Sequence, residues 1–246
     1  MKQISSITLA AMLTLLILGC GKKEPDITLK EPEFKKYPFK SAVIEYTFSG
    51  DGSGTMKHYI DYWGAREVQE DKSAIKMMGQ ERKNNMLVIS DQDTAYQIDM
   101  DKKEGMKMKD PRWDQMIQQF KSAKPEEKEN FAGAMMKKSM QQFQAKSLGT
   151  EEVLGKKCDI MEMQGYKISL WNGLPLKSVV EMQGMKMTVL ATKLETDVDI
   201  PSNLFIPPDG IKWQTMPQQG VPPQQQQQQS DPHASQDPHS SAPTGK

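Results

Sequence analysis

The sequence predicts an α+β fold: a curved antiparallel sheet, an incomplete barrel, with two helices packed on its concave face. Three observations predict it. Stretches of period-two alternation lie on both sides of the chain's centre, two-residue turn signals recur between them, and one central stretch carries apolar residues at helical spacing.

Before the first strand lies an export segment. Lys2 supplies the positive start, residues 4–18 are uncharged and mostly apolar, and Gly19 is the small residue before Cys20. The run is short of the about 20 apolar residues that a membrane-spanning helix needs. Ile17-Leu18-Gly19-Cys20 resembles the bacterial lipobox, which implies a signal peptide over 1–19 and lipid on Cys20 as the membrane anchor. Gly21, in place of Asp, implies the outer membrane under enteric-type sorting. Residues 20–40 mix Lys, Glu and Pro without apolar periodicity and read as a tether.

From Ser41 the period becomes two. Ala42, Ile44, Tyr46 and Phe48 share one strand face, Gly50-Asp51-Gly52-Ser53-Gly54 turns the chain, and Met56, His58, Ile60 and Tyr62 share a face of the next strand. Further strands are expected at 65–70, 73–78, 86–90 and 94–100, together an antiparallel meander.

Asp110-Pro111 then offers a helix start, and Trp113, Met116, Ile117 and Phe120 keep the i, i+3, i+4, i+7 spacing. A second helix is expected from Pro125, with Phe131, Met135, Met136, Met140 and Phe143 as its stripe. Strands resume after Leu148, at 158–163, 166–171, 176–182 and 185–194, separated by Leu154-Gly155, Gln164-Gly165, Asn172-Gly173 and Gln183-Gly184. Residues 41–215 thus form one domain of about 170 residues, enough for a single core. Residues 216–246, rich in Pro, Gln, Ser and His, lack the apolar content to offset ordering entropy and read as a disordered tail.

Composition excludes several functions. The 246 residues carry 32 Lys+Arg against 32 Asp+Glu, so no net charge draws the chain to nucleic acid. Of the 3 histidines, His233 and His239 lie in the tail, leaving His58 as the candidate general base; no Gly-x-Ser-x-Gly elbow or zinc-protease motif occurs. A catalytic pair of His58 and Cys158 is outweighed by a core histidine and an inert buried thiol, so the chain reads as no enzyme. With Cys20 assigned to lipid, Cys158 has no intramolecular disulfide partner. The 19 methionines include Met106/Met108, Met161/Met163 and Met185/Met187, whose i, i+2 thioethers could suit Cu(I). Without a His or Cys cluster beside them, the preferred reading is adaptable apolar lining, with no metal and no cofactor.

The order of parts, and Asn203-Leu204-Phe205-Ile206-Pro207-Pro208-Asp209-Gly210-Ile211 with its Phe, Pro-Pro-x-Gly pattern, is similar to the LolA/LolB-like superfamily of outer-membrane lipoprotein carriers and receptors. That resemblance implies a cavity between sheet and helices for an acyl chain or another apolar ligand. The candidate lining is Ile44, Tyr46, Phe48, Met56, Ile60 and Tyr62 from the sheet. From the helices come Trp113, Met116, Ile117, Phe120, Met135 and Met136. The expected function is a membrane-anchored envelope lipoprotein, facing the periplasm, that binds a lipid or lipoprotein there. Alternatives are a scaffold that meets an envelope partner through its tail, and a Met-based Cu(I) binder.

Overall fold

The computed structural model describes residue 32 and residues 34–214, without 78, 111 and 183. The signal segment, Cys20 and the tail lie outside these residues. Among the described residues twelve strands form one sheet: β1 (Ala42–Gly50), β2 (Gly52–Asp61), β3 (Arg66–Met77), β4 (Gln80–Asp91), β5 (Thr94–Asp99), β6 (Glu104–Lys109), β7 (Lys146–Val153), β8 (Lys156–Met163), β9 (Tyr166–Trp171), β10 (Leu174–Met182), β11 (Met185–Thr196) and β12 (Lys212–Gln214). Their order is β12-β6-β5-β4-β3-β2-β1-β11-β10-β9-β8-β7, so the curved sheet does not close. Two meanders, β1 to β6 and β7 to β11, are joined where β1 pairs with β11. All pairings are antiparallel except β12 with β6.

The expected turns at Leu154-Gly155, Gln164-Gly165 and Asn172-Gly173 all have a left-handed backbone at both residues. Asn172 and Gly173 both have positive φ, 50° and 82°, as the two-residue hairpin joining β9 to β10 requires. The expected strands at 65–70 and 73–78 are one long strand, β3, and β6 was not anticipated.

The expected pair of helices is three helical segments: α1 (Arg112–Ser122), α2 (Pro125–Lys128) and α3 (Phe131–Gln142). The second expected helix is interrupted because Asn130 leaves helical geometry and caps a new start, its Oδ1 accepting from the Gly133 N–H at 3.1 Å. Phe143 follows α3 and is 61% exposed, outside the stripe assigned to it.

One core gathers Ala42, Ile44, Tyr46, Ile60, Leu174, Leu176 and Ala191 with Tyr37 and Phe39. A second gathers Val68 and Ile89 with Phe205, which stands just ahead of Pro207-Pro208-Asp209-Gly210. Residues 34–40, expected in the tether, are therefore part of the domain. Phe34, Tyr37 and Phe39 are only 1%, 4% and 6% exposed.

Candidate functional site

The space expected to be a cavity is occupied by the segment ahead of β1. Phe34 meets the rings of Trp113 at 5.0 Å, Phe120 at 5.8 Å and Phe131 at 6.1 Å, which fastens α1 and α3 to it. Phe39 stacks between Tyr37 at 5.3 Å and Trp171 at 5.5 Å. The backbone is fixed as well: the Trp63 carbonyl accepts from the Lys36 and Tyr37 N–H groups, and the Lys36 carbonyl accepts from Ala132. Tyr62 and Trp63 adopt positive φ, 50° and 55°, in the turn that makes this clamp.

Beside the segment lies a charged cluster that sequence reading missed. Glu67 of β3, the register partner of Ile60 in β2, receives Lys36 Nζ on Oε1 at 2.5 Å, and its Oε2 lies 2.8 Å from His58 Nε2. Burial alone would raise the Glu67 pKa, but Lys36 and then His58 outweigh it and hold the carboxyl at about 2. For Lys36, burial works to lower the pKa and Glu67 reverses it, so the ammonium stays charged. Tyr37 and Tyr46 are raised, chiefly by burial. His58, the candidate base, is engaged with a carboxylate, and Cys158 is fully buried, its thiol donating to the Lys156 carbonyl and pushed up in pKa chiefly by burial.

The candidate lining residues divide three ways. Ile44, Tyr46 and Ile60 are buried in the main core, with Met56 packed against it. Phe48 is half-buried further along the same strand. Tyr62 does not continue the Ile60 face, because β2 ends at Asp61 and the chain turns left-handed there; its ring packs edge-on to Trp63 at 6.3 Å. On the helices, Trp113 and Met116 line an open cleft of about 460 Å³ between α1 and the β3–β4 pair. Met136 lines another, of about 540 Å³, between α3 and β7 to β9. Phe120 belongs to the Phe34 cluster, and Ile117 and Met135 are half-buried and line neither cleft. The single expected cavity is thus two clefts flanking a filled centre.

The Met-x-Met pairs fall on β6, β8 and β11, no two of which are neighbours in the sheet. Among the described residues no group of three or more His, Cys, Asp or Glu side chains is placed to hold a metal ion, and no helix is long and apolar enough to cross a membrane.

No family model matches the chain, and no curated protein matches it. Solved structures similar to it include an uncharacterized conserved protein from Thermus thermophilus, at 7% identity and a TM-score of 0.46, covering 74% of this chain and 94% of that one. Another is the Pseudomonas aeruginosa MucA/MucB complex, at 14% identity and a TM-score of 0.37, covering 70% of this chain and 58% of the matched one. PNGF-II is similar at 13% identity and a TM-score of 0.34, over 72% of this chain and 31% of that one.

Proposed function

We propose that the chain is a lipid-anchored, non-enzymatic envelope protein that binds an apolar or acylated ligand in the cleft between α3 and β7 to β9. The observation that supports this reading is the lining of that cleft. Met136 of α3 faces a space of about 540 Å³ shared with Met161 and Leu170 of the sheet; Asn130 and Asn172, which bond to each other, and Glu126, Glu127, Lys137, Gln141 and Asp159 make its polar border. Its volume lies within the range of roughly 300–1,000 Å³ of small-molecule sites, and thioethers adapt to an irregular or exchangeable chain. On this proposal the ligand lies to one side of the sheet face that carries Ile44, Tyr46 and Ile60. The LolA/LolB-like resemblance, the lipid on Cys20 and the outer-membrane location belong to the same proposal.

The test uses a Cys20→Ala chain, which is expected to leave the membrane fraction, and a fluorescent fatty acid. Saturable binding should raise the melting temperature by linkage. Met136→Trp and Met161→Trp, which fill the cleft, should each weaken binding by about tenfold, about 1.4 kcal/mol. If the fatty acid does not bind, or binds these variants equally well, the acyl-ligand reading fails. The scaffold reading, favoured by the filled centre around Phe34 and Phe39, then takes its place, and its own readout is tail-dependent capture of an envelope protein.

A further inference from the structure

The cleft between α1 and the β3–β4 pair has a different chemistry from the one under α3. Its charges are already matched. Lys36 is held by Glu67, and Arg112 grips Asp110 through Nε and Nη2, both at 2.9 Å. Four amides remain on its wall: Gln69 of β3, Gln92 of the turn after β4, and Gln115 and Gln119 of α1. None of the four side chains hydrogen-bonds to a described residue; Gln92 and Gln115 are exposed to solvent at the rim, and Gln69 and Gln119 are half-buried. Gln115 and Gln119 are four apart, so they stand on the same side of α1. Gln69 is directly opposite Val88 in the β3–β4 register, and Val88, Trp113 and Met116 give the cleft its apolar part.

This combination selects a ligand class. Each amide offers one carbonyl acceptor and two N–H donors in a plane, a match for adjacent hydroxyl groups that both donate and accept. An acyl chain would take water from the half-buried amides of Gln69 and Gln119 without replacing its hydrogen bonds, which disfavours it there. An ionic ligand would find every nearby charge already compensated. A sugar ring presents hydroxyls around its rim and a C–H face that packs on apolar side chains. We propose that this cleft binds a neutral saccharide unit, separately from the apolar ligand assigned to the α3 cleft.

The experiment titrates the Cys20→Ala chain with two neutral sugars, maltotriose and N,N′,N″-triacetylchitotriose, followed by calorimetry and by amide chemical shifts. At least one trisaccharide should bind saturably at millimolar concentration, with shifts in α1, β3 and β4. The double variant Gln115→Ala, Gln119→Ala should bind it about tenfold more weakly, and alanine on α1 preserves helix propensity. Gln69→Leu should weaken it as well, whereas Met136→Trp should leave it unchanged. Saturable binding lost in the amide variants and kept in the Met136 variant supports the site, whatever the fatty-acid result. No saturable binding of either sugar, or equal binding by the double variant, overturns it.

Discussion

Lys36 Nζ lies 2.5 Å from Glu67 Oε1, an ion pair that ties the segment ahead of the first strand to the third strand of the sheet. Glu67 also holds His58 at 2.8 Å, so removal of Lys36 leaves the carboxylate with one partner instead of two. A Lys36→Met variant is expected to lose about 2–3 kcal/mol at neutral pH, less than the roughly 3–5 of a fully buried pair, because Lys36 retains 28% exposure. The pH dependence has a definite sign. The folded carboxyl sits at about 2, below its ordinary value of 4.5, so its stabilisation is complete above 4.5 and is lost as pH falls toward about 2. Without Lys36 that window narrows, and the stability curves of variant and parent should converge on acidification. Urea unfolding from neutrality down to about pH 3 checks this, and parallel curves would count against it.

Phe39→Ala separates a tether from a core element. Phe39 is 6% exposed between Tyr37 and Trp171, and removing a buried phenyl ring costs about 3–5 kcal/mol. A substitution in a solvated tether would change stability by less than about 0.5 kcal/mol. Equilibrium unfolding of the variant decides between the two, and a near-neutral result would show that residues 34–40 do not hold the fold together.

What the sequence disclosed, and what it did not, follows from the range of the interactions involved. Hairpins are local, so Asn172-Gly173 could be read directly, and strand alternation located Ile44, Tyr46 and Ile60 on a buried face. The segment 34–40 was hidden by the Lys and Pro residues around its aromatics. Three aromatic rings at Phe34, Tyr37 and Phe39 are the signal that could have exposed it, since a tether gains nothing from such rings. The place of that segment bears on the site as well. Alternation and helical spacing set the helix stripes against the sheet face; Trp113 instead meets Phe34, and the open space lies to either side. The amide cleft joins Gln69 to Gln119 across 50 positions, and the charged cluster joins Lys36 to Glu67 across 31. Neither has a local pattern.

Arg66 carries the last prediction, on the face opposite its neighbour Glu67. It is 4% exposed, with its guanidinium carbon 3.9 Å from the ring centroid of Phe205. It also stands between Asp61 Oδ2 at 3.9 Å and Asp91 Oδ1 at 3.7 Å. The Asp91 pKa is raised, first by burial, with Arg66 opposing the rise and Asp61 adding to it. Arg66→Met keeps an apolar side chain beside Phe205 but leaves two carboxylates facing each other. A loss of about 2–3 kcal/mol at neutral pH is expected, part of it from the lost contact with the ring. A carboxyl whose folded pKa is raised disfavours the fold when ionised, so stability should return as pH falls through that pKa and the proton is taken up. Neutralising one partner should have the same effect, so Arg66→Met with Asp61→Asn should be more stable at neutral pH than Arg66→Met alone. Unfolding of the parent, both single variants and the double variant measures this coupling. Simple additivity of the two substitutions would mean that Arg66 acts through Phe205 alone.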